Sequence, residues 1–267
     1  LPPLREPGRT VAAIDPTLGD GGRPQSATGQ TTLLTGIDAV AAMGGPYGPW
    51  PGPTLQRLLQ ADTLFHDGAR AGGAHLANAY PEVYLDALRR PTGRHRRARG
   101  PAAMVAALAA GVRLVGVGDR AAGRSVAADL DGRGLLRLDP DGGAPDVARE
   151  ARRLAALAAE HAFTYLDVWV TDQVGHRADL ALAGEVVERL DRFLAALVDA
   201  LPGDVTLLLT SDHGNLEDAR DARHSRASVP LLALGPRAPA FAAVVDLRGV
   251  APAVRSIWGG RGAAGAA

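Results

Sequence analysis

Two short polar runs hold the residues best suited to chemistry. Thr171-Asp172-Gln173-Val174-Gly175-His176 and Ser211-Asp212-His213-Gly214-Asn215 each follow an apolar, β-branched run, and His224 stands just ahead of another at Val229. Carboxylate oxygens and imidazole nitrogens that converge on one point form a ligand set for Zn²⁺ or Mn²⁺. Asp172 and His176 are four positions apart, so they can meet across a loop or one helical turn. Asp212 and His213 are adjacent on a tight turn, where neighbours point in different directions and Gly214 lets the backbone bend sharply. Each pair alone also suits a plainer role, as a solvated pair at a helix start or an N-cap aspartate. Three of the seven histidines joining two aspartates at strand ends is what favours a metal centre. His66, His75, His95 and His161 have no such setting and default to structure or surface.

A second constellation lies early, in Pro24-Gln25-Ser26-Ala27-Thr28-Gly29-Gln30-Thr31-Thr32-Leu33-Leu34-Thr35-Gly36. Small residues and hydroxyls run into an apolar stretch, the pattern of a tight turn opening a helix. A hydroxyl there faces the positive helix end and free backbone N–H groups, a setting that also suits phosphate. An ordinary Ser/Thr cap is the competing reading. The Gly-rich run Val115-Gly116-Val117-Gly118-Asp119 follows a strand-like segment but does not continue as GxGxxG, so a dinucleotide loop has little support.

The elements that must position these residues follow from periodicity. Strands are expected at Thr10–Ile14, His75–Ala79, Val112–Val117, Thr164–Val170, Val205–Thr210, Val229–Leu234 and Ala243–Leu247. The clearest helix runs from Ala178 to Leu201, with Leu180, Val186, Val187, Leu190, Phe193, Leu194, Leu197 and Val198 near the helical period. A second covers Pro145–Glu160 and a short one follows Pro252. Strands alternating with helices imply an α/β fold with a mainly parallel sheet covered by helices on both faces. In such a sheet ligands bind beyond the carboxyl ends of the strands, where both polar runs lie. No internal repeat or heptad run is visible.

Composition removes several alternatives. The 267 residues carry 29 basic and 29 acidic side chains, for zero formal charge, and every basic residue is Arg. Neutrality argues against a general binder of nucleic acid or anionic membrane. The absence of Cys excludes disulfides, thiolate metal sites and Cys nucleophiles, and the absence of Lys excludes Schiff bases and the Walker A loop. No apolar run reaches membrane-spanning length and no charged-then-apolar leader opens the chain, so a cytoplasmic protein is expected. The Arg-rich stretch 89–100 reads as an exposed insertion, with phosphate steering a minor possibility.

Taken together, these motifs resemble the alkaline phosphatase superfamily, in the branch of cofactor-independent phosphoglycerate mutase and phosphopentomutase. Asp172-Gln173-Val174-Gly175-His176 is similar to that branch's first metal motif. Thr210-Ser211-Asp212-His213-Gly214-Asn215-Leu216-Glu217 is similar to its second, and His224 before Val229-Pro230 to its third. The Pro24–Gly36 stretch resembles a compact group described as metalloenzyme-domain proteins, with Ser26 where these families carry a Ser or Thr nucleophile. The resemblance implies two divalent ions, Mn²⁺ or Zn²⁺. Asp172, His176 and His224 would hold one, and Asp212, His213 and the Ser26 oxygen the other. It further implies a small phosphorylated substrate and transfer through phospho-Ser26, with coordination lowering the hydroxyl's pKa.

Two departures shape the expectation. The families carry a metal-ligand Asp in an Asp-Gly-x-Gly-like motif on a first strand, and no such motif precedes Ser26. That strand is read as missing, in keeping with a chain that opens Leu1-Pro2-Pro3-Leu4. Asp15 is the first suspect as a substitute. The short stretch between Gly36 and Asp172 leaves room for only a small or absent cap, at about 85–150, within a single domain spanning 1–267. A small cap favours a phosphomonoester hydrolase or small-substrate phosphotransferase over the full mutase reaction. A phosphomutase and a non-catalytic metal- or phosphate-binding remnant are the alternatives. Oligomeric state is not legible.

Overall fold

The computed structural model describes residues 3–89, 99–140, 142–218 and 220–259. In chain order the strands and α-helices are β1 (Leu4–Glu6), β2 (Arg9–Ile14), α1 (Ser26–Thr35), α2 (Ala39–Met43), α3 (Pro53–Ala61), α4 (Leu64–Ala71), β3 (Ala74–Leu76), α5 (Glu82–Arg89), α6 (Ala102–Ala109), α7 (Val147–Glu160), β4 (Phe163–Tyr165), α8 (Val170–Gly175), α9 (Leu180–Ala200), β5 (Leu207–Thr210), β6 (Val229–Leu234) and α10 (Val250–Gly259). Four strands form one sheet in the order β1-β2-β6-β5, and β3 pairs with β4 in another.

The fold is mixed α/β, but the described strands do not form the expected mainly parallel sheet. β1–β2, β2–β6 and β5–β6 are antiparallel, and β3–β4 alone is parallel. One cause is the Pro7-Gly8 turn, which folds β1 back on β2 with Glu6 opposite Arg9 and Gly8 at φ 74°. The other is that two expected strands shrink to single parallel bridges, Tyr80 with Gly116 and Asp15 with Asp246. In both, a carboxylate draws the chain into a 3₁₀ turn: Asp119 accepts from the Gly116 N–H, and Asp246 from the Arg248 N–H.

Helices cover the strands as the periodicity requires. Ile14, Leu231 and Ala233 pack against Leu247, Val250 and Val254. Leu34, Phe65 and Leu76 share a core with Leu85 and Met104, and α7 meets α9 through Leu154, Leu157, Phe193 and Leu197. Each fully buried aliphatic side chain of this kind contributes roughly 1.5–3 kcal/mol. Leu180 and Val187, placed by the pattern on the apolar stripe of α9, instead face solvent.

One feature departs from an ordinary sheet. β4 and β5 each pair on a single side, and their open edges line one cavity of about 1600 Å³. Leu207, Leu208 and Leu209 form an apolar run without alternation, the signature of a strand covered on both faces. All three are nevertheless only half-buried. Among the described residues, no helix is long and apolar enough to cross a membrane.

Candidate metal centre

Ser26 is the first residue of α1. Gln25 occupies the N-cap position in an extended conformation without capping through its side chain. The Ser26 hydroxyl is not spent on a cap either: its Oγ lies 2.9 Å from His213 Nε2. Helix α1 can approach this closely because residue 29 is glycine. A Cβ there would fall 2.6 Å from the Asp212 carbonyl oxygen, well inside van der Waals contact.

The other residues arrive from three chain ends. Asp172 lies on α8, which follows the β4 run, and His176 closes that helix. Asp212 and His213 follow β5, and His224 precedes β6. Asp172 Oδ2 is 3.4 Å from His176 Nε2, and its Oδ1 is 3.4 Å from His224 Nε2. The two imidazole Nε2 atoms stand 3.2 Å apart. His213 stacks on His224 with ring centroids 3.6 Å apart, and Asp212 Oδ2 is 3.6 Å from His213 Nε2. Ligand atoms of Asp172, His213 and His224 all lie within 4.8 Å of one another. The structure therefore brings Ser26, Asp172, His176, Asp212, His213 and His224 into one contiguous cluster. His213 bridges the two groups expected from sequence.

Neighbouring groups orient this cluster. His224 Nδ1 donates to the Pro24 carbonyl at 2.9 Å, and His176 Nδ1 to the Ala222 carbonyl at 2.6 Å. With Nδ1 held by a carbonyl, each Nε2 faces the centre, where the neutral imidazole would offer its lone pair to a metal. Asn215 Nδ2 donates to Asp172 Oδ1 at 2.8 Å, while its own N–H donates to Glu217 Oε2. Glu217 also accepts from the Ser225 hydroxyl, tying the two sides of the loop between Gly214 and Ser225 together. Arg23 donates to the His224 carbonyl at 2.6 Å.

Electrostatics divide the carboxylates. Burial works against ionisation at Asp172, yet hydrogen bonds from His224 and Asn215 prevail and hold it at about 2. Burial instead dominates at Asp212 and pushes it up to about 7, with the Asp172 charge adding to the shift. Burial brings the His213 imidazole down to about 4, so it is neutral at physiological pH. His224 is raised: burial opposes its charge, but the Asp172 carboxylate outweighs it. Asp167, at the end of the β4 run, is likewise pushed to about 7 by burial against the pull of the Trp169 indole.

Other sequence candidates are placed elsewhere. Asp15 does not line the cavity that holds Ser26, Asp212 and His213, and its Oδ1 accepts from Thr17 N–H and Oγ at 2.8 and 2.7 Å, closing its own turn. Asp119 in the Gly-rich run is held by Arg113 and Arg124, a structural ion pair and not a phosphate loop. His66 caps α4, and His75 stacks on His161. His95 and most of the Arg-rich stretch, residues 90–98, lie outside the described residues. Asn215, which donates to Asp172, had no role assigned from sequence, and Asp167 lines the same cavity as Ser26. Asp167 had a signal, as the lone charge inside an apolar strand run.

Residues 134–253 match the metalloenzyme superfamily. The matched segment is a little under half of the chain. It contains Asp172, His176, Asp212, His213 and His224, while Ser26 lies outside it. A phosphopentomutase of Anaeromyxobacter sp. (strain K) is 36% identical over 130 residues, covering 48% of this chain and 31% of that protein. The 2,3-bisphosphoglycerate-independent phosphoglycerate mutase of Wolinella succinogenes is 36% identical over 89 residues, covering 33% and 18%. The chain thus spans under a third of the length of these curated relatives. The PH0037 protein of Pyrococcus horikoshii aligns with a TM-score of 0.44 at 15% identity, over 77% of this chain and 55% of that one. The alkaline-phosphatase-like metalloenzyme resemblance read from the motifs agrees with the superfamily match and with the names of these relatives.

The residues present fit a divalent cation. Asp172 is ionised, and ligand atoms of Asp172, His213 and His224 lie within 4.8 Å of one another, close enough to meet at one ion. Asp212 Oδ2 is buried with no hydrogen-bond donor, a cost that a cation removes.

Proposed function

We propose that the protein is a metal-dependent phosphotransferase or phosphomonoester hydrolase that acts on a small phosphorylated substrate through Ser26. The observation that carries this reading is the Ser26 hydroxyl at the start of α1, 2.9 Å from His213 inside a cluster of Asp and His donors. Asp172, His176 and His224 would hold one divalent ion, and Asp212, His213 and Ser26 a second. When bound, the ions supply Lewis-acid charge that lowers the hydroxyl pKa and offsets the negative charge of the phosphoryl group.

The chain's own residues do the rest. Helix α1 presents Ser26 with its N-terminal N–H groups, which favour an anionic phosphoryl group. Gly29 keeps that helix seated on the Asp212 turn. Transfer forms the Ser26 Oγ–P bond and breaks the substrate P–O bond, and the proton lost by Ser26 ends on the departing alcohol. Water or a second substrate hydroxyl then takes the phosphoryl group and returns a proton to Oγ. The relatives' names favour a hydroxyl acceptor, which makes phosphomutase action the second reading.

The test is hydrolysis of an aryl phosphate by the purified chain with Mn²⁺ or Zn²⁺, beside Ser26→Ala and Asp212→Ala. Metal-dependent turnover lost in both variants, with a phosphorylated Ser26 peptide in the mass spectrum, is the expected result. Turnover that survives Ser26→Ala would overturn the covalent route. No turnover with either metal would leave a metal-binding protein without this activity.

A further inference from the structure

Asp167 has no assigned role, and its surroundings are unusual for a carboxylate. The residue is 8% exposed, and its Oδ2 is buried with no hydrogen-bond donor. Its position is not accidental. The side-chain amide of Asn78, itself fully buried, grips the Asp167 backbone on both sides: Asn78 Nδ2 donates to the Asp167 carbonyl at 2.7 Å, and the Asp167 N–H donates to Asn78 Oδ1 at 2.9 Å. Among the described residues, no ion pair reaches Asp167, whereas the buried Glu150 is met by Arg120 and Arg153.

Asp167 lines the same cavity as Ser26, Asp212 and His213. Asp212 Oδ2 is the other buried carboxylate oxygen in that cavity without a donor. Two orphaned carboxylate oxygens lining one cavity are costly as anions, a cost that protonation or a cation shared between them would relieve. The second ion position, moreover, has only three donors in Ser26, Asp212 and His213, while Zn²⁺ takes at least four ligands, protein or water.

We propose that Asp167 is the further carboxylate of the second ion position, facing the cation across the cavity from Ser26, Asp212 and His213 and binding it directly or through one coordinated water. The inference rests on the metal-dependent reading above and adds a residue to it. It accounts for both orphaned oxygens at once and for the Asn78 clamp.

The test is calorimetric titration of the metal-free protein with Mn²⁺, for wild type, Asp167→Asn, Asp212→Asn and the double variant. Wild type is expected to take up two ions. Asp167→Asn is expected to weaken the second binding event by about ten-fold or more and leave the first unchanged. Asp212→Asn should weaken the same event, and the double variant should lose less than the two single losses combined, because both act on one ion. Asn keeps the shape of Asp, and the thermal midpoint of the metal-free Asp167→Asn protein should equal or exceed that of wild type. Two ions bound by Asp167→Asn with wild-type affinity would overturn the inference, as would a lower midpoint with both events weakened alike. Wild type binding one ion would overturn it while leaving a metal site. Wild type binding none would remove the metal-dependent reading itself.

Discussion

Replacing Gly29 with Ala separates two opposing effects that are both visible in the structure. Gly29 lies within α1, where Ala is favoured over Gly by about 0.8–1.0 kcal/mol. The added Cβ, however, would lie 2.6 Å from the Asp212 carbonyl oxygen and 2.9 Å from Asp212 Cβ. That is about 0.8 Å short of ordinary contact, and the obstructing atoms include backbone, which cannot rotate away. Overpacking of this kind costs roughly 1–3 kcal/mol, so the net change is a loss of about 0–2 kcal/mol, or a few degrees in Tm for a chain this size. The larger effect falls on the centre. Opening the α1–Asp212 gap by about that distance stretches the Ser26 Oγ–His213 Nε2 contact from 2.9 Å beyond hydrogen-bond reach. Thermal unfolding and Mn²⁺ calorimetry on Gly29→Ala should therefore show a modest Tm loss and a weakened second binding event. A variant that gains about 1 kcal/mol from helix propensity and binds Mn²⁺ as wild type does would refute the close-approach argument.

Three further outcomes follow from the same geometry. In the metal-free protein Asp212 is protonated up to about 7, above its ordinary 3.8, so between these values the folded state binds more protons than the unfolded one. Its contribution is complete below about pH 4 and lost as pH rises through about 7, and it amounts to a few kcal/mol at most at roughly 1.4 kcal/mol per unit. Tm measured from pH 4 to 8 without metal should fall with pH in wild type relative to Asp212→Asn, and parallel curves would contradict the burial argument. Asn215→Ala removes the Nδ2 donor to Asp172 Oδ1, and should weaken the first Mn²⁺ event by about ten-fold with little change in fold by circular dichroism. Unchanged affinity would mean that Asn215 only packs. Finally, amides on the open edges of β4 and β5 should exchange with solvent deuterium faster than those paired between β2 and β6. Equal protection would show that the two edges close on each other in solution.

Much of the centre was legible because its chemistry is carried by residue type and local spacing. Asp172 with His176, and Asp212 with His213, are held by one helix turn and one tight turn, which are short-range consequences of the chain. The β6 strand and the α7 and α9 helices were likewise announced by unbroken apolar runs or a 3.6-residue period. The sheet's pairing was not, because strand direction depends on what lies alongside, and the Pro7-Gly8 turn and the Asp119 and Asp246 caps altered which segments paired. Asp15 looked available, but the fold leaves it off the cavity lining, with its Oδ1 turned to Thr17. What only the fold decided is the meeting of distant groups: Ser26 with His213, His224 with Pro24, and Asn78 with Asp167. A sequence states which donors exist and which neighbours they have. Burial and long-range packing decide which of those donors share a space, and therefore which carry a proton, a partner or an unmet charge.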